Sequence, residues 1–266
     1  MLFRSRIGSA GIMLPHYSAF KVAEVFRVLD ALAPGRIDMG LGRAPGSDGL
    51  TAFALNPLAN ERPEHFPADV RDLMAWVHGE PLVDRHPFAK VQAFPQGPTA
   101  PEIWILGSSD YGAQVAALFG LPYCYAWFFS DGAGGERAIE LYKRTYRPSA
   151  RHPTPQCGLC VWALAAPTME EAQYHLTSRV LSRINRDRGF LGPLVSPDAA
   201  AKELAAHDQE RIAKFRRNTF AGTGPEVMAR IVELKDRVGV DEMAVVTWTY
   251  DEEVRRQSYS ELAKVF

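Results

Sequence analysis

The sequence of 266 residues has few cysteines, no long hydrophobic run and no excess of either charge. Its three cysteines are too few for a disulfide framework, which favours a reducing compartment and predicts a cytoplasmic protein. No run approaches the ~20 apolar residues that cross a bilayer, and the first residues lack the apolar core of a signal peptide. The net charge of −1 gives no electrostatic reason to expect nucleic acid or a membrane as a partner.

Metal ligands are also scarce. Cys157 and Cys160 form a C-x-x-C pair, which suits either a redox dithiol or half of a zinc site. The surrounding run, however, has the pattern of a buried strand, and no second cysteine pair follows it. Few histidines and aspartates fall at predicted strand ends, which disfavours a metal-dependent hydrolase. We therefore interpret both cysteines as structural and predict no metal site.

Short apolar strands alternate with amphipathic helices, the pattern of a mostly parallel α/β sheet. Six strands are predicted, at residues 6–14, 36–41, 102–106, 123–128, 158–165 and 242–247. A long connection runs from residue 47 to about residue 100 and contains a predicted helix at residues 67–78. Connections of this length are usually lids or insertions, so this one is a candidate lid. The chain length fits one α/β barrel of about 250 residues.

A first candidate site follows the third strand, where Gly107, Ser108 and Ser109 precede a predicted helix. The first N–H groups of a helix have no partner within the helix and carry partial positive charge. Serine hydroxyls add donors, and glycine lets a ligand approach the backbone, so this segment can bind a phosphate. The alternative is an ordinary helix cap, for which serine is a common residue.

A second candidate site follows the second strand, in the segment that contains Gly40, Gly42 and Arg43. Arginine suits bidentate binding of phosphate, and the carboxyl ends of parallel barrel strands form the active-site face. The two glycines are predicted to leave room for a flat ligand beside the backbone. The alternative for Arg43 is a surface ion pair with a carboxylate on a helix.

Two further groups stand at strand ends. His16 and Tyr17 follow the first strand, where they suit acid–base chemistry or contact with a ligand ring, or simply local hydrogen bonding in the loop. The aromatic run at residues 127–129 ends the fourth strand and suits either an apolar ligand wall or the core. His16 is a candidate catalytic residue, and no other residue is assigned that role.

Read together, four segments resemble the bacterial luciferase-like monooxygenase family of flavin-dependent oxidoreductases. They are residues 6–18 with the short run 21–24 that follows, 32–46, 103–109 and 239–246, in the family's order along nearly the whole chain. The resemblance implies a TIM-type (β/α)8 barrel that binds reduced FMN or, in some branches, the deazaflavin F420. By position, Arg43 would contact the flavin phosphate, and Gly107, Ser108 and Ser109 would bind it at the helix N-terminus. Ala10 and Gly11 match a strand-end bulge beside the flavin ring that often has a non-proline cis peptide.

Family members begin with two further β/α units, roughly 65–70 residues, for which this chain has no counterpart. We therefore expect residues 1–266 to form a single, incomplete barrel domain with about six of the eight parallel strands. The Glu-His-His-like run that the family places beside the flavin lies in those units. An open barrel would expose strand edges, so we expect a homodimer, or a heterodimer with a paralogue.

The resemblance implies a monooxygenase that uses O2 and reduced FMN, supplied by a separate flavin reductase, to oxidise a small organic substrate. One alternative is an F420-dependent oxidoreductase on the same barrel. Another is a catalytically inactive flavin-fold subunit or fragment, which the missing units favour. The substrate is left open, because fold alone does not define it.

Overall fold

The computed structural model describes residues 5–46, 48–58 and 62–266, which form two compact units. The first unit comprises Met1–Tyr125 and Arg137–Cys157. The second unit comprises Ala126–Glu136 and Gly158–Phe266. Each unit is a set of parallel strands with helices in the connections between them.

The strands of the first unit are β1 Ile7–Met13, β2 Ile37–Gly42, β3 Glu102–Gly107 and β4 Tyr123–Ala126, in this order across the sheet. Each neighbouring pair is parallel. The helices are α1 Ala19–Leu32, α2 Gly49–Leu55, α3 Phe66–His78, α4 Asp110–Phe119 and α5 Gly135–Thr145. Apolar side chains of β2 and β3 are fully buried, which places the core of this unit on these central strands.

The second unit is built around β5 Cys157–Ala165, which pairs in parallel with both β6 Phe220–Gly222 and β7 Glu242–Val246. Almost every side chain of β5 is buried, as expected for a parallel strand covered on both faces. The helices are α6 Met169–Asp187, α7 Pro197–Leu204, α8 Gln209–Asn218, α9 Gly224–Val238 and α10 Glu252–Ala263. Buried residues of α6 and β5 form a shared hydrophobic cluster.

The predicted α/β class with parallel strands is confirmed, and each of the six predicted strands is present, with shifted ends. The described residues contain one strand more, the three-residue β6, and so have seven strands where a closed barrel has eight. Three residues are too short for an alternating or continuous apolar pattern to stand out, so the sequence did not reveal β6. The helix predicted at residues 67–78 is α3.

Most of the segment predicted as a lid is packed against the rest of the first unit. Phe66, Val70, Leu73 and Val77 of α3 are almost completely buried. The segment at residues 95–99 is fastened to α1 by Arg27, whose guanidinium donates to the carbonyl oxygens of Pro95 and Thr99. The candidate lid therefore shrinks, among the described residues, to the stretch 48–58 that contains α2, where several large apolar side chains are exposed: Leu50, Phe53, Leu55 and Leu58.

Candidate functional site

The carboxyl ends of β1, β2 and β3 lie on one edge of the first unit. Met13 pairs with Gly42 at the end of β1 and β2, and Leu41 pairs with Ile105. Because these strands are parallel, the loops that follow them open at the same edge, where ligands of α/β folds commonly bind. The structure therefore brings the predicted segments around Gly11, Arg43 and Ser109 to a common edge.

The predicted bulge in β1 is present at Gly11. Ala10 pairs with Gly40 and Ile12 pairs with Leu41, so Gly11 is an extra residue without an opposite partner. Its φ of +131° is a conformation that residues with a side chain rarely adopt, which accounts for the glycine. The cis peptide is not found here: in the described ranges the cis bond lies between Phe94 and Pro95.

The glycines of β2 separate into two roles. A Cβ at Gly40 would lie 2.5 Å from the carbonyl oxygen of Ser9 and 2.6 Å from Cδ1 of Leu106, so strand packing itself requires glycine there. At Gly42 a Cβ would meet nothing closer than 3.8 Å. The prediction that both glycines leave room for a ligand is wrong for Gly40, while the space at Gly42 is compatible with one.

The two serines lie at the N-terminus of α4 with exposed side chains. Ser109 occupies the N-cap position, but its hydroxyl does not accept a hydrogen bond from the helix. The backbone is instead held by Tyr123, whose hydroxyl donates to the carbonyl oxygen of Ser109 at 3.2 Å. Burial raises the pKa of Tyr123, so this hydroxyl keeps its proton. Ordinary capping therefore does not account for Ser109, and its hydroxyl remains available to a ligand.

We expect Ser109→Ala to leave the free energy of unfolding nearly unchanged, because no capping hydrogen bond is lost. Thr168→Ala is the matched control, since the Thr168 hydroxyl accepts from the backbone N–H of Glu171 at 3.1 Å. Loss of such a cap typically costs about 1 kcal/mol. Urea unfolding of both variants makes the comparison, and an equal loss in both would show that Ser109 is a structural cap.

Arg43 lies next to the same helix. Its guanidinium carbon is 4.0 Å from the ring centroid of Tyr111, in the first turn of α4. Arg43 is exposed and forms no ion pair with any residue that the structure describes, so the alternative of a pair with a helix carboxylate is not observed. The stacking holds a positive charge beside the uncapped N-terminus of α4.

Asp110, the first residue of α4, is a neighbour that the sequence analysis missed. Its Oδ2 pairs with Arg137 at 2.9 Å, whereas its Oδ1 is buried without a hydrogen-bond partner in the described part of the chain. The pair with Arg137 offsets a negative charge that would otherwise repel an anion at this helix end. Its position in the sequence, directly after the two serines, could have indicated that it lies beside the candidate phosphate site.

His16 ties the loops after β1 and β2 together. Its Nε2 lies 2.9 Å from the carbonyl oxygen of Pro45, and because a carbonyl only accepts, Nε2 carries the proton. Its Nδ1 is then an acceptor, buried and without a partner among residues 5–46, 48–58 and 62–266. The structure gives His16 a role in loop packing, and a catalytic role stays a prediction.

Cys157 and Cys160 lie in β5, the strand predicted around them, and their structural role stays a prediction. All three cysteines are thiols, and burial raises the pKa of the Cys160 thiol to about 11, which keeps it protonated and unreactive. Within the described ranges no three His, Cys, Asp or Glu side chains cluster as metal ligands. No described helix has the length and apolar character needed to cross a membrane.

The comparison with protein families decides the assignment. A family model described as luciferase-like monooxygenase matches residues 4–242. The chain belongs to this family. Among its relatives, protein YwcH of Bacillus subtilis (strain 168), whose function is uncharacterised, is 38% identical over 99% of this chain and 79% of its own length. The N-acetyl-S-alkylcysteine monooxygenase of the same strain is 32% identical over 91% of this chain and 72% of its own length.

Solved structures of luciferase-like type share the fold. Apo-MsnO8 is 30% identical, with a TM-score of 0.83 over 97% of this chain and 76% of its own. The oxygenating constituent of 3,6-diketocamphane monooxygenase from Pseudomonas putida, in complex with FMN, is 18% identical with a TM-score of 0.63, covering 97% and 78%. An F420-dependent secondary alcohol dehydrogenase with an F420-acetone adduct is 14% identical with a TM-score of 0.66, again covering 97% and 78%. The predicted TIM-type barrel class is thereby confirmed.

Proposed function

We propose that this luciferase-like monooxygenase uses reduced FMN and O2 to oxidise a small organic substrate, with the flavin reduced by a separate reductase. The observation that carries the proposal is that Arg43 packs on Tyr111 in the first turn of α4, the helix whose N-terminus bears the unused Ser109 hydroxyl and the exposed Ser108. Arg43 and both serines lie at the carboxyl edge of the first unit. Family membership supplies the class of chemistry, and this group of donors supplies the place for the cofactor.

The residues present fit a flavin phosphate. A phosphate monoester offers acceptors and a negative charge, and a guanidinium, two hydroxyls and the first backbone N–H groups of α4 can all donate to it. The ion pair with Arg137 offsets part of the negative charge of Asp110 at this helix end. The space at Gly42 and the bulge at Gly11 lie on the same edge, where an extended ligand can follow the strand ends.

In this proposal, the bound reduced flavin supplies the electrons for O2 activation. The residues of the chain bind and orient it: Arg43, Ser108 and Ser109 hold the phosphate, and Ala10 and Gly11 present the bulged backbone to the ring. The exposed apolar side chains of α2 close over the site and exclude water. The relative that acts on N-acetyl-S-alkylcysteine supports oxygen insertion into a small organic molecule as the reaction class.

The deciding experiment compares the affinity of the chain for FMN with that for riboflavin, which has the same ring but no phosphate. We expect FMN to bind at least tenfold more tightly, since a charge-assisted phosphate contact contributes roughly 1.5–3 kcal/mol. Flavin fluorescence measures both affinities. Equal affinity for the two ligands would overturn the phosphate site.

A titration with F420 in the same assay tests the alternative cofactor, because the two cofactors have different absorbance spectra. Preferential binding of F420 would assign the chain to the F420-dependent alternative. Formation of an oxygenated product from candidate substrates, with NADH, a flavin reductase, FMN and O2, then tests the monooxygenase chemistry against a control without the chain, because free reduced flavin consumes O2 by itself. FMN binding without any flavin-dependent turnover of candidate substrates would favour the inactive subunit.

A further inference from the structure

A small pocket in the second unit is lined by residues from four different segments. Trp162 lies near the carboxyl end of β5, opposite Val246 at the end of β7. Phe128 and Asp131 belong to the turn after β4, and Arg179 extends from α6. The pocket is therefore at the carboxyl end of the parallel strands of this unit, the edge at which ligands bind in α/β folds.

Arg179 is a buried cation without a carboxylate partner. Arg179 is 6% exposed, and its guanidinium carbon lies 4.4 Å from the ring centroid of Trp162 and 4.9 Å from that of Trp248, two rings that are packed edge to face. Its one hydrogen bond runs from Nη2 to the carbonyl oxygen of Phe128 at 3.3 Å. Its Nε donor has no acceptor among the described residues. Buried charges in proteins are normally paired, because desolvation costs several kcal/mol.

Burial is the main cause that lowers the pKa of Arg179, to about 9. At neutral pH the guanidinium is therefore still a cation. The nearby carboxylate of Asp131 favours the charged form, but it lies closest to a different arginine, Arg183, at 3.7 Å. The charge of Arg179 is left for another partner.

A second buried donor without an acceptor belongs to Trp162, which also lines this pocket. The indole of Trp162 is 2% exposed, and its Nε1–H has no hydrogen-bond partner in the described ranges. Indole and guanidinium nitrogens are donors only, so an atom that satisfies both must be an acceptor. Two orphaned donors in one pocket are rare in native proteins and call for an explanation in terms of what binds there.

The surrounding charge is also positive. Arg183 and Arg186, one and two turns further along α6, both donate to the carbonyl oxygen of Phe129. Asp187 is shared between Arg183, at 3.3 Å, and Arg211, at 2.6 Å. Asp131 and Asp187 together face four arginines, so the excess positive charge favours an anion.

We propose that this pocket binds the carboxylate of an organic ligand, with Arg179 and the indole N–H of Trp162 as its donors. One carboxylate offers two acceptor oxygens and a full negative charge, which match two orphaned donors and an unpaired cation. The proposal does not depend on the proposed flavin site, because no residue of that site belongs to this pocket.

The test follows the indole N–H signals of the 15N-labelled full chain by NMR. The chain has five tryptophans, and the signal that Trp162→Phe removes is assigned to Trp162. At constant ionic strength, sodium acetate is expected to shift this signal in a saturable way. Acetamide, which has the same shape without the charge, is expected to leave it in place. An equal response to both, or none to acetate, would overturn the proposal.

Two variants and a control complete the test. Arg179→Gln is expected to weaken acetate binding at least tenfold. The indole signals of the four tryptophans other than Trp162 report whether this variant is folded. Trp162→Phe keeps an aromatic ring, although a smaller one, and deletes the N–H donor. Calorimetry is expected to show a severalfold loss of acetate affinity. Arg255→Gln, on the exposed face of α10, removes the same charge and should bind acetate like the wild type. Undiminished binding in folded Arg179→Gln contradicts the site. No flavin is present, so a failure of FMN binding is a separate result.

Discussion

Replacing Arg43 by alanine is expected to weaken FMN binding ten- to a hundredfold while leaving the fold intact. A hydrogen bond to a charged group contributes roughly 1.5–3 kcal/mol, and each 1.4 kcal/mol is about tenfold in affinity. Arg43 is exposed, packs on the Tyr111 ring and forms no ion pair with a described residue, so we expect little structural stability to depend on it. Fluorescence titration with FMN measures the loss, and thermal unfolding checks the fold.

Riboflavin is the internal control, because it lacks the group that Arg43 is proposed to bind. The variant should bind riboflavin as tightly as the wild type does, so that the advantage of FMN over riboflavin shrinks or disappears. Arg151→Ala is the matched surface control in the same unit, since Arg151 pairs with Glu80 at 2.8 Å and is half-exposed. Unchanged FMN affinity in Arg43→Ala would mean that the phosphate is held elsewhere.

The part of the site that could be predicted depends on local chain order. Gly107, Ser108 and Ser109 follow a strand and precede a helix, and Arg43 follows the neighbouring strand, so parallel pairing alone brings them to one edge. Gly40 shows the limit of this reasoning. The sequence cannot distinguish a glycine that leaves room for a ligand from one that a neighbouring strand requires, because the atoms involved belong to Ser9 and Leu106.

In the second unit, the burial of Arg179 could not be predicted from the sequence. Arg179 occurs in an amphipathic helix rich in charged residues, a pattern that indicates a solvated side chain. It is buried in part because Trp162 and Trp248, 17 residues before it and 69 residues after it, pack against its guanidinium. The aromatic run at residues 127–129 is visible in the sequence, but nothing in the sequence indicates which arginines would contact it. Contacts between residues so distant in sequence come from the topology of the unit, which local patterns do not encode.

The end of the insertion after β2 is fastened to α1 by a buried hydrogen-bond network. Arg27 and Asp30 are each only 2% exposed, and Nη1 of Arg27 lies 3.8 Å from Oδ2 of Asp30. Arg27 donates to the carbonyl oxygens of Pro95 at 2.8 Å and Thr99 at 2.6 Å, while the Thr99 hydroxyl donates to Asp30 at 2.7 Å. This network joins α1 to residues about 70 positions later in the chain. It turns the end of the insertion into part of the scaffold rather than part of a lid.

We expect Arg27→Met to destabilise the protein by roughly 3–5 kcal/mol, because it leaves the Asp30 carboxylate buried without its cation. The two carbonyl oxygens would also lose their donor, while the methionine fills most of the volume. For a protein of this size, the loss corresponds to a fall in Tm of roughly 10 °C, measured by calorimetry.

Lys21→Met is the matched control on the same helix, because Lys21 is 71% exposed and pairs only with Glu24. It should change the stability by no more than about 0.5 kcal/mol, as is usual for a surface position. Limited proteolysis adds a local measurement, since loss of the Arg27 bonds should open residues 95–99 to cleavage before the strands unfold. If the two variants unfolded at the same temperature, the buried network would not be what holds the insertion to α1.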